Sequence, residues 1–153
     1  MIAGVAVLAC GIAAAADPPG NYAESLGRVY GGYQRMLAMN EACDTAQPAT
    51  RAANNRAFAA WEAQHRALIQ DLQRRVSAMI KAASKDRDEY VRNLGKYEGA
   101  ILLERKEYRD TLLGLGADEL REQCQRMPES LKGPGADFAR VYAAELEIIR
   151  KRK

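Results

Sequence analysis

From Thr50 to Ala83 the chain carries neither Gly nor Pro, and its apolar residues return every three or four positions. Phe58, Trp61, His65, Leu68, Leu72, Val76 and Met79 share one stripe, which Ile69 and Ile80 widen. That period belongs to an α-helix with one buried face. At 1.5 Å per residue such a helix is on the order of 50 Å long, more than a compact globule of this size needs. The segment therefore predicts an elongated hairpin or bundle.

The flanking segments repeat the pattern. Asn21, with Glu24 three residues on, has the spacing of a capping box. After it, Tyr22, Leu26, Val29, Tyr33, Met36, Asn40 and Cys43 form one stripe, and the helix should end near Ala46, before Gln47-Pro48. Gly27, Gly31 and Gly32 weaken this helix by about 1 kcal/mol each relative to Ala. The Gly27-x-x-x-Gly31 spacing also offers a close approach for another backbone. Ser84 to Glu89 contains no apolar residue and should turn the chain. A third helix then carries Tyr90, Leu94, Tyr97, Ile101, Glu104, Tyr108, Leu112 and Leu115, stopping at Gly114-Leu115-Gly116. A short helix from Asp118 to Met127 should end at Pro128. A last helix, capped by Asp137, bears Phe138, Val141, Tyr142, Ile148 and Ile149.

The expectation is an all-α, elongated antiparallel bundle of three long helices, a short helix and a C-terminal helix, with one disulfide. The seven-residue rhythm of the long segments predicts left-handed packing at a shallow angle.

Residues 1–16 read as a cleaved signal peptide, 17–20 as a linker and 21–153 as a single helical domain. The run from Ile2 to Ala16 is uncharged, apolar or small, and Ala14-Ala15-Ala16 offers a cleavage site before Asp17. No Lys or Arg precedes the run, which leaves room for a start upstream of Met1. The run is too short for a stable membrane span of about 20 residues. Val7-Leu8-Ala9-Cys10 faintly resembles a lipoprotein acylation site, with Cys10 as the acylated residue. Export to the periplasm or beyond would leave Cys43 and Cys124 in an oxidising compartment. An up-down-up course of the long helices brings both to one pole. Closing that loop of about 80 residues would stabilise the fold by roughly 4 kcal/mol in the chain-entropy model.

Chemistry-bearing motifs are scarce. His65 is the only histidine, so with two paired cysteines a zinc site lacks ligands. Its place between Trp61 and Leu68 is that of a core residue, with a proton-sensitive contact as the sharper alternative. Glu104 interrupts an apolar stripe and should find an Arg partner or open solvent, with a polar group kept for partner recognition inside a groove as the alternative. No second carboxylate shares its stripe, so a catalytic acid pair has no support. No Gly-x-Ser-x-Gly motif and no phosphate-binding glycine loop occurs. No cofactor is expected. Net charge is +3, from 23 basic and 20 acidic residues, too even a balance to argue for nucleic acid. Tyr97 and Tyr108 are candidates for a protein-binding groove. Arg150, Lys151, Arg152 and Lys153 form a basic end that is either solvated or set against an acidic partner.

An exported helical bundle of this size, with one staple and no catalytic set, resembles the small periplasmic inhibitors and immunity proteins of bacteria. That resemblance is architectural. It implies blockage of a toxin or envelope enzyme by a rigid surface of Tyr, Arg and Glu. Two alternatives stand beside it: a periplasmic chaperone or envelope-stress factor, and a structural or adaptor component of a secretion or envelope complex. Apolar stripe left uncovered would call for a homodimer.

Overall fold

The computed structural model describes residues 20–152, which are helical with no strand among them. The signal-peptide reading, Cys10 and Lys153 lie outside the described residues. Six α-helices follow in order: α1 (Tyr22–Ala46), α2 (Arg51–Ala82), α3 (Arg87–Leu113), α4 (Ala117–Ser130), α5 (Phe138–Val141) and α6 (Ala143–Lys151). A single 3₁₀ turn, Pro134–Ala136, precedes α5.

Local chemistry sets the boundaries. The Asn21 side chain accepts from the amides of Ala23 and Glu24, and Glu24 accepts from the Asn21 amide at 2.9 Å, a complete capping box. At the 84–89 turn, Asp86 caps α3 by accepting from the Glu89 amide at 2.8 Å. The Glu89 side chain reaches one residue further back than a capping box requires, to the Lys85 amide at 2.7 Å. Pro128 does not stop α4, a correction to the expected end at Met127. So near a C-terminus a proline removes only one helical donor, and the extra turn buries Leu131. The expected last helix is broken at Tyr142 (φ −111°, ψ 30°) into α5 and α6.

Helix α1 is the hub and packs against α2, α3, α4 and α6. Its large apolar residues Leu26 and Val29 are fully buried. Its small residues form further buried faces: Ser25, Gly31, Gly32, Ala38 and Ala42. The break at Tyr142 has a partner here. A Cβ on Gly32 would lie 2.2 Å from the Tyr142 hydroxyl, so the missing side chain makes room for that phenol. Gly27, by contrast, faces open space, so the expected Gly27–Gly31 approach is replaced by one at Gly32.

On α2 the buried residues are Asn54, Phe58, Trp61, His65, Ile69, Leu72, Val76 and Ile80. They repeat every eleven positions (54, 65, 76; 58, 69, 80; 61, 72). The buried seam of α2 therefore follows an eleven-residue period rather than the seven-residue one read from the sequence. Ile69 and Ile80 are therefore buried, while Leu68 and Met79 sit only partly covered.

The disulfide joins Cys43 at the end of α1 to Cys124 on α4, with Cα atoms 5.4 Å apart and a sequence separation of 81. Both are fully buried. Cross-helix polar contacts supplement the core. Tyr33 donates to Glu62 at 2.7 Å between α1 and α2, Ser77 and Tyr90 share a hydrogen bond of 2.8 Å between α2 and α3, and Arg105 pairs with Glu41 between α3 and α1.

Candidate functional site

The residues singled out in the sequence do not converge. His65 sits in an aromatic cluster on α2, against Trp61 and Phe138 with ring centroids 4.8 and 5.6 Å away. Its Nε2 accepts from the Phe138 amide at 3.4 Å. That contact makes Nδ1 the protonated nitrogen, donating to the Trp61 carbonyl at 2.9 Å. Trp61 in turn donates its indole N–H to the Ala136 carbonyl at 2.8 Å. Together these two α2 side chains pin residues 136–138 to the bundle. Asp137 lies 4.0 Å from Nε2 and caps α5. His65 is thus engaged in holding a loop.

Glu104 is solvent-exposed, and its Oε1 lies 4.0 Å from where a Gly31 Cβ would sit. The stripe opens to solvent there. Tyr97 is half-buried on the same helix. Burial, and then the nearby Tyr30 and Glu104, push its phenol up to about 12. Burial and the Glu62 acceptor likewise raise Tyr33.

The basic end is tied to the rest of the molecule through Ile149 and Arg152. Arg75 on α2 donates to the carbonyls of Ile149 at 3.0 Å and Arg152 at 3.2 Å, capping the end of α6. The Asp71 carboxylate holds Arg75 in place at 2.7 Å. Arg152 stacks over the Tyr22 ring, 4.6 Å from its centroid. Lys151 pairs with Glu147, and Arg150 is exposed.

Tyr108 has a different setting. It lines a cavity of about 370 Å³ near the disulfide, between α1, the end of α3, α4 and the 131–136 segment. Met36, Met39, Met127 and Leu131 are among its apolar lining, and Arg35 and Arg126 belong to the lining as well. Among the described residues no Asp or Glu lines it. Glu122 pairs with Arg126 on the exposed side of α4. The cavity is apolar, adaptable through its three thioethers, and bounded by positive charge. Sequence reasoning found Tyr108 but missed the methionines. They come from two helices far apart in the chain, and only the Cys43–Cys124 link signalled that α1 and α4 would meet.

The arrangement offers an apolar recess with arginines in its lining. Among the described residues no group of three or more His, Cys, Asp and Glu side chains is placed to hold a metal ion. No described helix is long and apolar enough to cross a membrane. Comparison with protein-family models, with curated proteins and with solved structures finds no match.

Proposed function

We propose that the protein is a non-enzymatic, exported binding protein that blocks an envelope-acting partner by protein–protein contact, as an inhibitor or immunity protein does. The observation that carries this reading is the Arg-edged apolar cavity beside the disulfide. The staple fixes α4 on α1, and so presets the cavity and lowers the ordering cost of binding. Its chemistry suits an apolar side chain of the partner with a carboxylate next to it. The methionine wall takes the apolar group, and Arg35 and Arg126 take the charge.

A photoreactive residue at position 108 tests this in living cells, with one at the exposed Lys81, outside the cavity at the C-terminal end of α2, as control. The expected result is one discrete crosslinked partner from position 108, lost when Arg35→Glu or Arg126→Glu is added. Both arginines are exposed, so these changes leave the core alone. No adduct, or the same adducts from both positions, would overturn the reading.

A chaperone is the second reading, favoured by the exposed Val91, Leu102 and Leu103 on α3. It predicts suppressed aggregation of several unrelated unfolded proteins, an effect that Leu102→Glu would remove.

A further inference from the structure

Helix α3 is packed on one side only. Its inward stripe contributes Leu112 as the one buried residue, while Val91, Leu102 and Leu103 stand 58%, 61% and 56% exposed. The outward face advances by three or four residues at a time through Asp88, Val91, Gly95, Gly99, Leu102 and Lys106, all of them exposed. An added Cβ at Gly95 or Gly99 would meet nothing within 4 Å, so neither glycine is required by the chain's own packing.

We propose that this face is the contact between two copies of the chain, with the α3 helices antiparallel about a twofold axis at the level of Tyr97. The order of residues along the face supports that occupant. A twofold axis there sets Gly95 against Gly99 of the second copy, letting the helices approach closely at the centre. It sets Val91 against Leu102 of the second copy, and the aliphatic stem of Arg92 against its Leu103, covering the exposed apolar groups on both flanks. At the ends it sets Asp88 against Lys106 of the second copy, and the same pair recurs at the other end. A parallel pairing would place Asp88 on Asp88 and Lys106 on Lys106, two like-charge contacts that disfavour it. Lys106 also pairs with Asp110 on its own helix, at 60% and 43% exposure, a contact weak enough in water to be shared. A single helix pair of this length is a small interface, so the dimer is expected to dissociate on the order of micromolar. This proposal does not depend on the inhibitor reading, because the cavity and this face share no residue.

Sedimentation equilibrium of the purified, oxidised chain over a concentration series tests it, with circular dichroism as the check on folding. The expected result is a monomer–dimer equilibrium that Asp88→Lys and Lys106→Asp each weaken by about tenfold or more, and that the double exchange restores to within about threefold. Gly99→Leu, placed in open space in the monomer, should abolish the dimer while helicity is kept. A monomer at all concentrations, a dimer indifferent to these changes, or single charge reversals that the double exchange fails to rescue would each overturn the proposal.

Discussion

Helices α1 and α3 are close in length, 25 and 27 residues, and each carries a clear apolar stripe. Nevertheless α1 buries nine residues and α3 one. The stripes do not account for this difference. On α1 the stripe is joined by Ser25, Gly31, Gly32, Ala38 and Ala42, whose small size lets α6, α3 and α4 close in on other sides. On α3 the residues off the stripe are charged or face solvent, so only one side is covered. The same residue type plays opposite parts: Gly32 admits the Tyr142 phenol, whereas Gly95 and Gly99 face open space. A glycine in a helix is a weakness or a packing device according to what its neighbours bring to it.

The largest effect should come from cutting the link that fastens α4 to the hub. Reduction, or Cys43→Ala with Cys124→Ala, should cost about 4 kcal/mol in urea unfolding at neutral pH. Next, glycine replacements set the two regions against each other. Gly32→Ala should destabilise by about 1–2 kcal/mol, because the clash with Tyr142 outweighs the gain in helix propensity. Gly27→Ala and, in the dilute monomer, Gly99→Ala should stabilise the fold by about 0.5–1 kcal/mol each. Equal effects at Gly32 and Gly99 in thermal unfolding would erase the distinction between α1 and α3.

Alkaline titration probes the contact between these helices. Tyr97 is held above its ordinary value of 10.0, at about 12, chiefly by burial. Its folded value is the higher one, so the contribution is full below pH 10 and is lost as pH rises toward 12. Phenolate absorbance should show a late-titrating tyrosine that Tyr97→Phe removes, together with part of the alkaline loss of stability. The smallest effect lies at the α2–α6 end. The hydrogen bond from Arg75 holds the Asp71 carboxyl below its ordinary 3.8. That contribution is present above about pH 4 and is lost as pH falls through the lowered value. With Asp71 and Arg75 partly exposed, Asp71→Asn should cost under about 1 kcal/mol at neutral pH, and acid unfolding of the two proteins should converge.

Much of the architecture was legible in the residues because its causes are local. The Asn21–Glu24 cap, the Gly- and Pro-free α2 and the polar 84–89 turn each signal themselves within a few positions. The Cys43–Cys124 link followed from the direction of three helices. What escaped needs two distant segments at once. Nothing near Gly32 announces Tyr142, and nothing near Arg152 announces Arg75 or Tyr22. Heptad spacing and eleven-residue spacing share most of their positions over two turns, so the true seam of α2 emerges only over its full length. The cavity was harder still. Met36 lies on the α1 stripe, Met39 off it and Met127 at the expected end of the short helix, and they become a wall only once the disulfide sets α4 beside α1.

Intact mass of the protein from the envelope fraction, alkylated in denaturant without reductant, puts the account most directly at risk. The account predicts a chain beginning at Asp17 with no alkyl adduct, its two sulfurs already joined. A chain that retains residues 1–16 and carries adducts on Cys43 and Cys124 would contradict it.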